Sequence, residues 1–257
     1  MGEAIAITSG KGGVGKSNIT LNLGEVLAQK GYKVVLIDMD LGLRNLDVLM
    51  GLENRVIYDI RDVIQAHCSL RQALIQDKKE ENLYLLPACK SIRIAEFDKE
   101  ELKQIVDHLK EQFDYILLDS AAGLESGFLY SIACVSKTLL VTTLDYTALQ
   151  DADRIIGLLF KEQIKDVQLV INKVNPKYVE KGISVSIREA LNFLSVDLLG
   201  IVYEDEDIIR CNNKGFAAVR ERNMIYDCFY SMANRLEGKR CELPKYRGKS
   251  FMQRIFG

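Results

Sequence analysis

The chain has 257 residues, 48% hydrophobic and 27% charged, enough to bury one sizeable core, and its three prolines mark no linker that would divide it. No apolar run is long enough to span a bilayer and the first is too short for a signal peptide, while six dispersed cysteines without a C-x-x-C pair argue against zinc and thioredoxin-like centres and read as reduced cytosolic thiols. The net charge of −2 is unevenly spread: residues 239–257 carry Lys239, Arg240, Lys245, Arg247, Lys249 and Arg254 against Glu242, a surplus of five that leaves residues 1–238 at −7 and points the tail at an acidic surface.

In chain order, an apolar strand (Ala4, Ile5, Ala6, Ile7) runs into Gly10-Lys11-Gly12-Gly13-Val14-Gly15-Lys16-Ser17, which matches the phosphate-loop pattern at every fixed position. A helical pattern (Ile19, Leu23, Val26, Leu27) runs out of it. Backbone N–H groups must close around phosphate oxygens, so a Cβ at Gly12, Gly13 or Gly15 would crowd the anion or the turn. The helix is expected to begin near Lys16, with its positive end toward the phosphates. Lys16 supplies a point charge to the β- and γ-phosphates, the Ser17 hydroxyl suits Mg²⁺, and Asn18 completes the nucleotide-contacting stretch. Lys11 is a second lysine, too early in the loop to fold back easily on the same nucleotide. It is free either for solvent or for a phosphate held by another subunit.

Gly31 stops the first helix, and the continuous run Val34 to Ile37 predicts a parallel strand covered on both faces. Asp38 and Asp40 follow at its carboxyl end, where open α/β sheets bind ligands. Two acids there would repel a nucleotide unless a cation or the proton of an attacking water lies between them. Ile60, Val63 and Ile64 suggest a short helix, Leu83 to Leu86 a strand stopped by Pro87, and Asp98 with Glu101 a capping box that opens a helix burying Leu102, Ile105, Val106 and Leu109. Tyr115 to Asp119 is an apolar strand ending in an acid, the Walker B arrangement, with Asp119 expected to hold Mg²⁺ through water and Gly123 in a γ-phosphate-sensing loop. Further strands are expected at Leu139 to Val141, Val167 to Ile171 and Ile201-Val202. Helices are expected from about Ala148 and around Ile225 to Leu236, and Glu204 to Asp207 reads as a solvated acidic loop. Asn172, at a strand end, is either a turn residue or an amide able to read a base edge. The sum is a single-domain α/β fold with a mostly parallel twisted sheet flanked by helices, of the phosphate-loop NTPase class.

With Asp38-Met39-Asp40 and Asp119-Ser120-Ala121-Ala122-Gly123, the loop K-G-G-V-G-K-S resembles the deviant-Walker-A ATPases of the ParA/MinD family, and the similarity runs over nearly the whole chain. Gly42 to Asp47, Glu81 to Ala88 and the ending Arg254 to Gly257 point to the division-site branch. The resemblance implies ATP with Mg²⁺, an ATP-dependent homodimer in which Lys11 crosses to the partner's phosphates, and Asp40 activating the hydrolytic water while Asp38 supports the metal and the Lys11 region. It further implies that Asn172 reads adenine, and that Asp151, Asp153 and Arg154 of the helix after Leu144, otherwise a plain solvated face, meet regulators. The partners it implies are a MinC-like division inhibitor and a MinE-like activator, with no nucleic acid. Two departures from the family pattern are Ala121 and Tyr203, each at a position commonly proline.

Within the expected tail, Phe251, Met252, Ile255 and Phe256 fall on one side of a helix with Lys249 and Arg254 beside it. Too short to be helical in water, the segment should fold as it enters an anionic bilayer, each cation adding about 1 kcal/mol near the surface. One copy is a marginal anchor; two on a dimer gain roughly 10²–10⁴ in avidity. The expected location is therefore cytoplasmic and peripheral on the inner membrane. Other readings of the same residues are a tail docked on its own domain, a regulator of flagellar number, and a partitioning ATPase that binds DNA through Arg210, Lys214, Arg220 and Arg222.

Overall fold

The computed structural model describes residues 1–40, 45–89, 98–123 and 126–246. One sheet of eight strands organises them, in the order β3-β4-β2-β5-β1-β6-β7-β8: β1 Glu3–Thr8, β2 Val34–Met39, β3 Ile75–Gln76, β4 Leu83–Leu86, β5 Tyr115–Ser120, β6 Lys137–Thr142, β7 Asp166–Val174 and β8 Asp197–Tyr203. Every pairing is parallel except β3 against β4. All six residues of β2 and of β5 are buried, as expected of parallel strands with helices over both faces.

On one face the core includes α1 (Lys16–Gln29), α7 (Tyr146–Lys161) and α11 (Met224–Leu236), with Ile19, Leu23, Ile155, Leu159, Phe229 and Met232 buried. On the other, α3 (Ile60–Ile64) and α5 (Lys99–Lys110) bury Ile60, Leu102, Val106 and Leu109. The short helices are α2 (Leu46–Leu49), α4 (Leu70–Ala73), α6 (Ser126–Ala133), α8 (Pro176–Glu180), α9 (Ile187–Leu194) and α10 (Glu206–Asn212). No helix among the described residues is long and apolar enough to cross a membrane.

Register carries the functional consequence. In the β2–β5 pair Asp38 lies directly opposite Asp119, and β5 places Asp119 opposite Ile7 of β1 on its other side. The ends of three adjacent strands therefore bring both acids to the mouth of the phosphate loop.

Several local expectations are corrected by capping chemistry. Glu204 and Asp205 do lie in a loop, but Glu206 and Asp207 open α10: Asp205 caps it by accepting the Asp207 N–H at 2.9 Å, and acids in a first turn suit the helix dipole. Asp98 accepts the Glu100 N–H at 3.0 Å without the reciprocal Glu101 bond of a capping box. The helix expected from Ala148 begins at Tyr146, because Asp145 is its N-cap and accepts the Ala148 N–H at 3.0 Å. Residues 241–246 lie on the body, where Ser231 Oγ donates to the Glu242 carbonyl at 3.0 Å and the Tyr203 hydroxyl to that of Pro244 at 2.9 Å. Lys249, Phe251, Met252, Arg254, Ile255 and Phe256 fall outside the described residues.

Candidate nucleotide-binding site

The phosphate loop joins β1 to α1. Gly15, the N-cap of α1, sits in the left-handed region at φ 98°, and a Cβ there would come within 2.4 Å of Asn172 Nδ2. By contrast, a Cβ on Gly12 or Gly13 meets no protein atom within 4 Å, so of the three glycines only Gly15 is crowded by the protein itself.

Two side chains at the end of β7 hold the loop from outside. Asn172 Nδ2 donates to the Val14 carbonyl at 2.7 Å, and Lys173 Nζ to the Gly13 carbonyl at 2.8 Å. Both depend on a register irregularity between Ile171 and Val174, where Lys173 adopts φ 54°. The bulge turns two successive side chains toward the loop, which regular alternation forbids. Ser120 Oγ donates to the Ile7 carbonyl at 2.9 Å and the Gly123 N–H to that of Ser9 at 2.9 Å, tying the segment after β5 to the loop's entry.

The acids divide in role by what they touch. Asp38 is buried and accepts three backbone N–H groups, from Asp40 (3.0 Å), Asn45 (3.0 Å) and Leu46 (3.2 Å). Its carboxylate thereby fixes the chain leaving β2. Asp40 faces the cleft and accepts from Asn45 Nδ2 at 3.3 Å. Asp119, also buried, accepts from Thr20 Oγ1 at 3.1 Å, with the Ser17 hydroxyl near enough to favour its charged form. Burial raises the Asp38 pKa to about 7, with the Asp119 charge adding to the effect. Burial likewise raises Asp119 to about 6, against the opposing pull of Ser17, Lys16 and Thr20.

The second Asp119 oxygen, Oδ2, is buried without a hydrogen-bond partner. A carboxylate oxygen left bare beside a serine hydroxyl is a hard-oxygen donor set that fits Mg²⁺. Among the described residues no group of three or more His, Cys, Asp or Glu side chains could hold a metal, so the protein supplies a cation here with few ligands, the usual case for Mg²⁺, which keeps several waters or takes substrate phosphate oxygens.

These residues open on a cleft of about 750 Å³ lined by Gly12, Gly13, Gly15, Lys16, Ser17, Asn18, Asp40 and Asn172 at one end and by Tyr203, Ile208 and Asn212 at the other. Val14 is buried, and its carbonyl accepts the Asn172 bond. Lys11 turns away from the cleft: its Nζ donates to Asp145 Oδ1 at 3.2 Å and Thr147 Oγ1 at 2.9 Å, on the first turn of α7. Burial opposes ionisation of Asp145, but the Thr143 and Thr147 hydroxyls, the Ala148 N–H and Lys11 outweigh it and hold the carboxyl well below its usual range.

Residues 5–216 match the CobQ/CobB/MinD/ParA nucleotide binding domain. The septum site-determining protein MinD of Bacillus subtilis is 42% identical over 260 aligned residues, covering 99% of this chain and 97% of the relative. The chain belongs to the MinD family. Among solved structures, MinD-family folds superpose throughout: the MinC:MinD cell division protein complex of Aquifex aeolicus gives a TM-score of 0.89 at 37% identity, covering 95% of this chain and 100% of that one. The septum site-determining protein MinD of Pyrococcus horikoshii, complexed with Mg-ADP, gives 0.82 at 27% identity, with 92% and 96% covered. The family consists of nucleotide-binding ATPases related to septum-site determination, and the fold and class read from the loop agree with it.

Four side chains went unread in the sequence. Lys173 had no assigned role, although an Asn-Lys pair at the end of a strand was visible. Thr20, one helical turn beyond Lys16, was the signal for an Asp119 ligand; Asn45 and Thr147 carried none, because their partners Asp40 and Lys11 are reached only through the fold.

Proposed function

We propose that the chain is a Mg·ATP-dependent ATPase that dimerises on ATP, binds the inner membrane reversibly through paired tails, and positions the division site by recruiting a MinC-like inhibitor, with a MinE-like activator stimulating it. The observation that carries this reading is the contrast between the two loop lysines. Lys16 lines the cleft, whereas Lys11 is outside it, on an exposed contact from which it can reach another subunit. An exposed ion pair of this kind is worth about 0–1 kcal/mol, so a partner's phosphate would displace it readily.

In this reading Lys16 neutralises the β- and γ-phosphates of the substrate, and Ser17 and Asp119 would hold a Mg²⁺ that would offset the phosphate charge. Asn172 keeps the loop in shape and borders the base. Asp40, steadied by Asn45, orients a water whose oxygen bonds to the γ-phosphorus as the bond to the β–γ bridging oxygen breaks. The electrons of that bond leave with ADP, and the water's proton is drawn to Asp40. Asp38 acts as a positioning residue that fixes the segment bearing Asp40. Support for a MinC-like partner comes from the Aquifex relative described as a MinC:MinD complex.

The DNA-binding alternative has lost most of its basic patch. Arg210 is paired with Asp207 and Glu221, Arg220 with Glu25 and Asp77, and Arg222 lies over the Tyr226 ring at 4.4 Å.

The test is sedimentation with anionic vesicles in ATP, ADP or no nucleotide. Pelleting should require ATP; equal pelleting with ADP would overturn the coupling of nucleotide to membrane. The chain cut after Arg247 should bind ATP and not pellet, and Lys11→Ala should stay monomeric in ATP.

A further inference from the structure

The observation is a second cleft, of about 810 Å³, at the β3–β4 edge of the sheet. It lies between the segment preceding α3, the short α4 and β3, and the end of α5. Its lining contains Lys33, Arg55, Arg71 and His108 and no carboxylate. Two acids border it from outside the lining: Asp114, whose carboxylate accepts the Lys33 N–H at 2.8 Å, and Glu111, 3.3 Å from His108 Nδ1. Lys33 Nζ lies over the rings of Phe113 (4.7 Å) and Tyr84 (5.5 Å), and one Arg55 guanidinium nitrogen donates to the Gln76 carbonyl at 3.2 Å. Among the described residues none of Lys33, Arg55 and Arg71 is in an ion pair, whereas Lys30, Lys137, Arg210, Arg220 and Lys239 all are.

On a body whose first 238 residues carry −7, a cleft lined by three cations outside any ion pair, with Asp114 and Glu111 beyond its lining, concentrates positive potential where the surroundings are negative. The lining is also apolar in a specific way. Ile57 is 81% exposed at the rim, with Leu70 and Leu74 half-buried beside it. Among the described residues the two-residue edge strand β3 pairs with β4 alone, and on its outer side the Gln76 carbonyl is held by Arg55.

We propose that this edge cleft docks an extended acidic peptide segment of a partner protein, with alternating carboxylates on the three cations and apolar side chains against Ile57, Leu70 and Leu74. Charge selects this occupant over the chain's own tail, which is itself strongly cationic. A small polyanion would leave Ile57, Leu70 and Leu74 unused.

The cleft is also remote from the nucleotide. Lys33 precedes β2 and Phe113 precedes β5, so the cleft sits at the amino ends of strands whose carboxyl ends carry Asp38 and Asp119. Six residues of strand separate the two by roughly 20 Å. Docking is therefore independent of nucleotide state, unlike an interaction that requires the ATP dimer.

The probe is a fluorescein-labelled seven-residue peptide alternating Glu with Val and Ile, titrated by anisotropy into the full chain without nucleotide, with ADP and with ATP. Controls replace every Glu by Lys, or every Val and Ile by Ser. The acidic apolar peptide should bind with the same affinity in all three states, at least tenfold more tightly than either control. Arg71→Glu and Arg55→Glu, both at exposed side chains, should each weaken it at least tenfold while leaving ATP binding unchanged. Equal binding of the Lys peptide, or full affinity in both variants, would overturn the proposal. So would binding of polyphosphate or phosphatidylglycerol vesicles that is lost in Arg71→Glu while the peptide does not bind. Self-association abolished by the same variant would assign the cleft to a second copy instead.

Discussion

Asp119→Asn should make the nucleotide-free protein more stable while abolishing metal-dependent hydrolysis. Burial and neighbouring charge raise Asp119 from 3.8 to about 6. At about 1.4 kcal/mol per pH unit, keeping it ionised in the fold costs on the order of 3 kcal/mol at pH 8. Asparagine keeps an oxygen for Thr20 Oγ1 but places an amide where Oδ2 has no partner, returning about 1–2 kcal/mol. The net gain is about 1–2 kcal/mol, or roughly 2–8 °C in melting temperature for a chain of this size. The pH dependence has a definite sign. Because the folded values of Asp38 (about 7) and Asp119 (about 6) lie above those of the unfolded chain, the fold holds protons that the unfolded state has released. These two groups therefore make stability fall as pH rises from about 4 to about 7. The variant lacks the Asp119 share and relieves Asp38 of its neighbour's charge, so its curve should fall less over that window. Thermal melts in EDTA from pH 5 to 8 measure both effects. A variant less stable than the parent at pH 8, or one with the parent's slope, would refute the reasoning. Saturating Mg·ATP should shift the order back toward the parent, since a ligand at 100 times its Kd adds about 2.7 kcal/mol and a variant that binds Mg·ATP more weakly gains less.

Gly15→Ala should lower nucleotide affinity at least a hundredfold by calorimetric titration, because it combines φ 98° with a Cβ 2.4 Å from Asn172 Nδ2. Asn172→Ala strips the buried Val14 carbonyl of its donor and should lower stability by about 1–3 kcal/mol in urea melts, with looser nucleotide binding in parallel. Arg220→Ala leaves Glu25 and Asp77 buried and unpaired, for a loss of about 3–5 kcal/mol by the same melts. Replacing Glu25, Asp77 and Arg220 together by apolar residues of similar volume should recover most of that loss, and a triple variant as unstable as the single one would argue against the ion network as its cause.

What the sequence made legible was contiguous. The phosphate loop carries its meaning in eight adjacent residues, and the buried strands β2 and β5 announce themselves as unbroken apolar runs. Asp38 and Asp119 were each visible as strand-terminal acids, yet that they share one site follows from the parallel register of β2 on β5, a fact of pairing that neither segment contains alone. The second half of the acidic stretch 204–207 is helical rather than loop, and was hidden for a related reason. Charge density suggests solvent, but Asp205 is defined by the N–H group it caps, and only the helix behind it discloses that.

The end of β7 shows where local rules stop and the fold begins to add chemistry. Read as a strand, Asn172 and Lys173 should point to opposite faces, so at most one could serve the loop. The irregularity between Ile171 and Val174 and the left-handed backbone at Lys173 remove that restriction, and both side chains reach adjacent carbonyls of the phosphate loop. Strained backbone of this kind costs of order 1–3 kcal/mol and persists where surrounding contacts over-determine it. Here the contacts are two hydrogen bonds to Gly13 and Val14, the segment whose N–H groups must be aimed before a phosphate arrives. A loop held from behind by a second strand loses less entropy on binding than a free glycine turn would, which is how the bulge in β7 contributes to affinity without touching a phosphate.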